Sequence, residues 1–171
     1  VGWAHNGGLP VELSFCHGEL CVRPVRELDA YFTPAGSYEG KDVSAQLSNL
    51  EGRCRVTCPG NTAELILSCE ENARHIFFDR NSGELWAELA DGRRISRAMS
   101  QEDRVNLGNA PIEMECYLDH SMIEVYLNHK VSMTLRNYTL GETYQVRAVG
   151  DVPLQLTVED YRPKEAPVEK G

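Results

Sequence analysis

The stretch DHSMIEVYLNHK, residues 119–130, contains side chains whose types and spacing could do chemistry. Asp119 and Glu124 are candidates for the two carboxyl groups that glycosidases place on either side of a glycosidic bond, one of them with a raised pKa. A tight turn on an open face offers little burial to raise an acid's pKa, and 26 acidic residues make chance pairs common. We therefore assign no catalytic residue.

A turn between strands explains the same residues without catalysis. Asp119 and Ser121 can accept backbone N–H bonds around a turn, and Asn128 tolerates a left-handed backbone at the next one. His120 beside Ser121 does not specify a nucleophile and base, because neighbours on a strand point to opposite faces. The polar residues of this stretch are therefore predicted to shape turns.

The cysteines predict buried thiols rather than a metal site. Their spacings are irregular and no C-x-x-C pair occurs, so we predict neither a metal nor another cofactor. Cys69 and Cys116 lie in apolar, strand-like runs, and a chain of 171 residues does not need disulfides for stability. Reduced thiols favour a cytoplasmic location. The six cysteines are Cys16, Cys21, Cys54, Cys58, Cys69 and Cys116.

Composition limits the classes of partner. The length suits one domain with a single core. A formal charge of −9, without a cluster of basic residues, argues against nucleic acid. No apolar run approaches the roughly 20 residues that cross a bilayer, so we predict a soluble chain with no membrane partner. The chain begins Val-Gly-Trp, which suggests a piece of a longer polypeptide.

Apolar residues alternate with polar ones along several segments, and this pattern predicts strands with one buried face. The clearest sets are Leu65, Leu67 and Cys69; Ile112, Met114, Cys116 and Leu118; and Ile123, Val125 and Leu127. Short turn signals separate such segments, among them Pro59-Gly60-Asn61, Asn81-Ser82-Gly83 and Asp91-Gly92. The best helical candidate, Ser100 to Val105, is about one turn long. We predict an all-β fold: a two-layer antiparallel β-sandwich of the concanavalin or lectin type.

Two blocks of the sequence resemble glycoside hydrolase family 32, which includes invertases, levanases, inulinases and sucrose-6-phosphate hydrolases. Residues 9–13 resemble the family's L-P-R-E-L segment, although Val11 replaces its arginine. Residues 119–128 resemble its D-R-S-S-V-E-V-F-V-N strand, with Tyr126 in place of phenylalanine. The residues that match this signature are Leu9, Pro10, Glu12, Leu13, Asp119, Ser121, Glu124 and Asn128.

The resemblance implies a domain organisation. In this family the L-P-R-E-L segment leads from a five-bladed catalytic propeller into a C-terminal β-sandwich. It implies that residues 1–8 are the end of the propeller or a linker remnant, that residues 9–161 form the sandwich, and that residues 162–171 are a loose tail.

The resemblance also implies where catalysis takes place. The family's catalytic residues lie in the propeller, in N-D-P-N-G, R-D-P and E-C motifs, and no Asp-Pro pair occurs here. Glu115-Cys116 matches E-C but lies in a predicted strand of the sandwich, so we interpret it as coincidence. The implied function is an accessory domain of a β-fructofuranosidase acting on sucrose or fructans, inactive alone. It would stabilise the N-terminal propeller of the same chain through an exposed apolar patch.

Two further interactions follow as candidates. A second copy of the chain is a candidate partner, through dimer contacts. Fructan or sucrose is a candidate ligand, since Trp86 and Tyr126 carry rings that could stack on a sugar. A lectin-like carbohydrate-binding module is therefore the alternative function, although Trp86 is also explained as part of a core or an interface.

Overall fold

A computed structural model describes residues 8–16, 18–138 and 141–162. The described chain is built from antiparallel strands with one 3₁₀ turn (Arg26–Tyr31) and one short helix, α1 (Gln101–Leu107). No helix in these ranges is both long and apolar enough to cross a membrane. The strands are β1 (Val11–Cys16), β2 (Glu19–Pro24), β3 (Phe32–Gln46), β4 (Glu51–Cys58), β5 (Thr62–Cys69), β6 (Asn72–Asp79), β7 (Glu84–Glu88), β8 (Arg94–Ala98), β9 (Ile112–Asp119), β10 (Met122–Leu127), β11 (Val131–Arg136) and β12 (Gln145–Tyr161).

One large sheet folds over on itself to make the sandwich. Its strand order is β11-β10-β9-β4-β12-β5-β6-β7-β8, and β3 pairs along β12. Residues 145–150 of β12 pair with β5, whereas residues 155–160 pair with β4. β12 and β3 therefore pass from one layer into the other, with a register shift between Val149 and Leu154. The predicted all-β sandwich is confirmed.

The core lies between the two layers and is lined by the alternating apolar positions of the strands. β5 alternates strictly between half-buried and buried residues, and so does most of β4. The five cysteines whose side chains are described, Cys21, Cys54, Cys58, Cys69 and Cys116, are buried free thiols, which confirms the prediction for them. Burial raises the pKa of the Cys116 thiol well above its ordinary value, so this group stays protonated.

The helix lies where the sequence places it. Ser100 caps its first turn, since the Ser100 hydroxyl accepts the backbone N–H of Asp103 at 3.0 Å. Gly108 ends the helix with a φ of 47°. None of its residues is buried, so α1 rests on the surface of the sandwich.

β1 and β2 form a hairpin that is a two-stranded sheet of its own. The 3₁₀ turn follows it and leads into β3. We call residues 8–31 the N-terminal segment, and the outer face of β4, β9, β10 and the second half of β12 the docking face. The N-terminal segment lies against this face, where the buried side chains of Arg53 and Glu124 bind Asp29 and Leu9.

Candidate functional site

The two blocks of the signature meet in space. The backbone N–H of Leu9 donates to Oε1 of Glu124 at 2.8 Å, although 115 positions separate them. A Cβ atom at position 8 would lie 3.0 Å from the same oxygen, so Gly8 leaves room for the carboxylate. β10 therefore fixes the chain at the start of the N-terminal segment.

Glu124 is a buried carboxylate satisfied by neutral donors. Its side chain is on the docking face of β10, and the residue is 5% exposed. The hydroxyl of Tyr126 donates to Oε2 at 2.8 Å, while Leu9 occupies Oε1. Burial and this hydrogen bond raise the pKa of Tyr126, so its phenol stays protonated and remains a donor.

Arg53 on β4 is a second point of attachment. The residue is 5% exposed, and its guanidinium donates to Asp29 of the 3₁₀ turn and to Glu159 of β12, with Nη2 3.0 Å from Oε1 of Glu159. The ring centre of Phe32 lies 4.7 Å from the guanidinium carbon. Burial lowers the pKa of Arg53, but the bonds to Glu159 and Asp29 outweigh it and raise the pKa above its ordinary value.

The sequence analysis did not identify Arg53 or Asp29. Arg53 lies on the polar face of an alternating strand, a position that normally faces solvent. In the fold, Asp29 of the N-terminal segment and the rings of Phe32 and Tyr117 lie against it. The signal in the sequence was weak, because polar strand positions occupied by arginine are common.

Glu115 on β9 is ionised and paired. Burial raises its pKa, but His129, the hydroxyl of Tyr117 at 2.6 Å and the guanidinium of Arg55 at 3.1 Å lower the pKa overall, to about 2. Nη1 of Arg53 lies 3.5 Å away. A carboxyl group with this pKa holds no proton to donate near neutral pH.

The Asp119 turn is a charged cluster at the edge of this region. His120 has a φ of 51°, and its Nδ1 lies 2.9 Å from Oδ1 of Asp119 and 3.4 Å from Oε1 of Glu51. The hydrogen bond to Asp119, together with the charge of Glu51, raises the pKa of His120. His120 is thus paired with two carboxylates at this exposed turn.

Ser121 and Asn128 take part in turns. The hydroxyl of Ser121 accepts from the guanidinium of Arg136 at 3.2 Å. Asn128 has a φ of 47°, the left-handed conformation that its residue type tolerates. Its amide accepts the N–H of Glu113 at 3.2 Å and donates to the carbonyl of Pro111 at 3.0 Å. Both residues fix β10 relative to its neighbours.

The two rings considered for sugar contact lie on different strands. Tyr126 is 3% exposed and directed to Glu124. Trp86 on β7 is half-buried, with the ring of Phe77 centred 5.2 Å away and the guanidinium of Arg94 4.0 Å above it. Sugar contact at either ring stays a prediction.

A pocket of about 210 Å³ lies where the N-terminal segment meets the docking face. Carboxylates of Glu51, Asp119 and Glu124 stand among mainly apolar neighbours. The pocket is about the size of one large side chain, so it resembles a gap at a packed contact more than a cleft for an oligosaccharide. Its other lining residues are Leu9, Leu28, Phe32, Tyr117, Leu118, Met122 and Tyr161.

The hairpin exposes an apolar face. Val11, Leu13 and Phe15 alternate along β1, and Leu20 is the cross-strand neighbour of Phe15. All four are exposed, Leu13 at 63% and Phe15 at 80%. This apolar face belongs to the N-terminal segment, which Leu9 attaches to the sandwich.

A comparison with sequence models of known families decides the family. The model described as "Glycosyl hydrolases family 32 C terminal" matches residues 33–158. The chain belongs to glycoside hydrolase family 32. The match begins at β3, after the hairpin and the 3₁₀ turn, while the boundary at residue 9 stays a prediction.

Solved structures share the fold. The GH32 β-fructofuranosidase of Bombyx mori superposes with a TM-score of 0.70 at 15% identity, over 91% of this chain and 32% of that chain. The sucrose-6-phosphate hydrolase of Lactobacillus gasseri gives 0.68 at 14%, over 89% and 33%. The exo-inulinase of Aspergillus awamori gives 0.64 at 9%, over 88% and 34%.

These identities show the fold alone, and the chain spans about a third of the length of these relatives. No curated protein matched the sequence.

Proposed function

We propose that this chain is the C-terminal accessory sandwich of a β-fructofuranosidase-type glycoside hydrolase, and that it packs against and stabilises the enzyme's catalytic propeller. The exposed apolar face of the hairpin supports this most directly. Side chains of this kind expose on the order of 400 Å² together, and a contiguous apolar patch of this size is often a functional contact surface. The names of the relatives suggest the substrate class of the parent, sucrose and fructans.

The polar contacts of the N-terminal segment support the same role. Glu124 and Arg53 attach the two ends of this segment to the sandwich. The face turned away from the sandwich is therefore held in a fixed direction. A rigid apolar surface next to the start of the described chain suits a contact between two domains of one polypeptide.

The carboxylates of the sandwich also support inactivity of the isolated chain. Glycoside hydrolysis needs one protonated acid beside a second carboxylate. Glu115 is ionised by its cationic neighbours, and Glu124 has both oxygens occupied by donors within the chain. We expect no acid and base pair here.

Hydrolysis assays test this proposal. Sucrose and short fructans would be incubated with the isolated chain, with the full-length polypeptide and with the N-terminal portion alone. We expect activity in the full-length polypeptide, none in the isolated chain, and a lower melting temperature for the N-terminal portion alone. Hydrolysis by the isolated chain would overturn the proposal and return attention to Asp119, Glu124 and Glu115.

A carbohydrate-binding role is the second candidate, and Trp86 is the observation that favours it. Its half-buried indole lies on the outer side of β7 beside Arg94, so an aromatic ring and a hydrogen-bond donor are adjacent. Titration of the isolated chain with fructan should change tryptophan fluorescence, and W86F should abolish the change. An unchanged signal would exclude stacking at this ring.

A further inference from the structure

Arg74 on β6 is a buried cation whose charge has no acidic partner. The residue is 4% exposed, so it is as deeply buried as Arg53. Arg53 pairs with the carboxylates of Asp29 and Glu159, whereas no carboxylate pairs with Arg74 among the residues that the structure describes. A guanidinium buried without an anion is costly to the fold. The charge of Arg74 therefore favours an anion from outside the chain.

The hydrogen bonds of Arg74 fix its side chain and leave part of the guanidinium unused. Nε donates to the backbone carbonyl of Arg136 at 2.9 Å, and Nη1 donates to the backbone carbonyl of Ala73 at 2.6 Å. In the described ranges, no residue accepts a hydrogen bond from Nη2. A guanidinium carries more N–H groups than these two carbonyls use. The remaining N–H groups form a planar, charged fork of the kind that binds the oxygens of an oxyanion.

Arg74 lines a pocket of about 390 Å³. Thr134 on β11 and Tyr138, which follows this strand, line the same pocket with exposed side chains that carry hydroxyl groups. Asp91 lines it too, but its carboxylate accepts the backbone N–H of Arg93 at 3.1 Å and Nε of Arg93 at 2.6 Å, so its charge is offset. We call this space the Arg74 pocket. The lining residues used below are Arg74, Leu89, Asp91, Thr134, Leu135 and Tyr138.

We propose that the Arg74 pocket binds the phosphate group of a small molecule. The guanidinium of Arg74 would bind two phosphate oxygens, and the hydroxyls of Thr134 and Tyr138 would donate to the third. A carboxylate has only two oxygens, so phosphate uses this set of donors more fully.

The size of the Arg74 pocket leaves room for more than the phosphate itself. Its volume of about 390 Å³ lies within the range of small-molecule sites. Leu89 and Leu135 supply an apolar wall for the carbon atoms of an attached group such as a sugar. The inference goes beyond the proposed function, because the residues of this pocket lie outside both the docking face and the hairpin.

Titration of the chain, followed by nuclear magnetic resonance, tests the proposal. Inorganic phosphate and glucose 6-phosphate are the probes, whereas glucose and glucuronate are controls without a phosphate group. We expect both probes to shift the Nε–H signal of Arg74 and the amide signals of Thr134 and Tyr138 until the shifts saturate. Glucose should cause no shift, and glucuronate should bind at least about tenfold more weakly than glucose 6-phosphate. Tighter binding of glucose 6-phosphate than of inorganic phosphate would assign the site to a phosphorylated compound, and equal binding would assign it to free phosphate.

Substitutions of the exposed hydroxyl groups locate the site. Thr134→Val and Tyr138→Phe each remove one hydroxyl from an exposed side chain, so both variants should fold as the parent does. Each should weaken phosphate binding by about threefold or more. Tyr38→Phe is the matched control, because it removes the hydroxyl of an exposed tyrosine on β3 and should leave phosphate binding unchanged.

Arg74→Lys tests the guanidinium itself. Lysine keeps the charge but lacks the planar fork, so phosphate binding should weaken by about tenfold. Thermal unfolding of this variant is measured first, since Arg74 is buried and bonded to two strands. If Arg74→Lys does not fold, the variants at positions 134 and 138 decide the outcome.

Several results would overturn the inference. One is the absence of a saturating shift in phosphate up to about 50 mM at constant ionic strength. Equal affinity for glucuronate and glucose 6-phosphate would overturn the choice of phosphate, and unchanged binding in both Thr134→Val and Tyr138→Phe would show that the anion binds elsewhere. Hydrolysis of fructosides enters none of these measurements, so this inference and the proposed function fail or succeed independently.

Discussion

At the residue scale, the docking face shows how two kinds of buried charge are accommodated. Arg53 is neutralised by acidic partners, whereas the described partners of Glu124 are neutral donors, the N–H of Leu9 and the hydroxyl of Tyr126. Hydrogen bonds to a carboxylate are stronger than those between neutral groups. Glu124 therefore acts as a fixed acceptor that determines where the N-terminal segment leaves the sandwich.

The role of Glu124 predicts a graded response to substitution. Glu124→Ala leaves the N–H of Leu9 and the hydroxyl of Tyr126 without an acceptor, and should lower the free energy of unfolding by about 1–3 kcal/mol. Glu124→Gln keeps an acceptor oxygen and should cost less. Urea denaturation measures both, and amide exchange at Leu9 reports the local contact. Equal effects of Ala and Gln would contradict the acceptor role.

The lowered pKa of Glu115 predicts a pH-dependent contribution to stability. Its pKa falls from 4.5 to about 2 on folding, so its ionised form stabilises the fold fully above about pH 5, by on the order of 3 kcal/mol. This contribution is lost as the pH falls from 4.5 towards 2.

Comparison of the wild type with Glu115→Gln isolates that contribution. The difference in unfolding free energy should be largest at pH 7 and should shrink markedly at pH 3. A difference that stays constant over this range would show that the carboxylate is not held ionised by its partners.

At the element scale, the sequence predicts where strands occur better than it predicts which strands pair with each other. Alternation identified β5, β9 and β10 because each has one face in the core. The same pattern does not say which strand pairs with which, so neither the bend of β12 between layers nor the separate hairpin was predicted. β3 was not predicted, because it lies at the edge of the sheet, where its residues need little alternation of apolar and polar types.

The contact between the N-terminal segment and the sandwich was also predicted only in part. Both signature blocks were identified from residue types, yet their contact was not, since Leu9 meets Glu124 across 115 positions. The apolar face of β1 could be read from the alternation of Val11, Leu13 and Phe15. Its exposure could not, because alternation gives one apolar face without showing what covers it.

The close approach of β12 to its neighbour β4 makes a prediction about one glycine. A Cβ atom at Gly52 would lie 2.8 Å from the backbone carbonyl of Glu159 and 2.9 Å from the side chain of Leu47. Gly52→Ala should therefore destabilise the fold by about 1–3 kcal/mol, because the two strands must separate.

Gly92 supplies the matched control. It has a φ of 76° with nothing within 4 Å of an added Cβ atom, so Gly92→Asn should cost well under about 1 kcal/mol, since asparagine tolerates this conformation. Thermal unfolding of both variants measures the difference. Equal losses would contradict the close approach of β12 to Gly52.

At the scale of the whole molecule, the residues that stabilise the fold differ from the residues that are available to contact a partner. The sandwich has its own core between two layers, whereas the hairpin directs apolar side chains outwards and is attached through polar contacts. A two-stranded sheet is marginally stable alone. The contacts of the N-terminal segment with the sandwich are therefore expected to hold the hairpin in place.

The double variant Leu13→Asp with Phe15→Asp tests this division. In the isolated chain both side chains are exposed, so the unfolding midpoint should change little. In the full-length polypeptide the new carboxylates would be buried without partners, and we expect the catalytic portion and the sandwich to unfold in separate transitions. Val105→Asp is the control, because Val105 is equally exposed but lies on α1. Differential scanning calorimetry resolves the transitions, and a single unchanged transition in the double variant would show that the two domains join elsewhere.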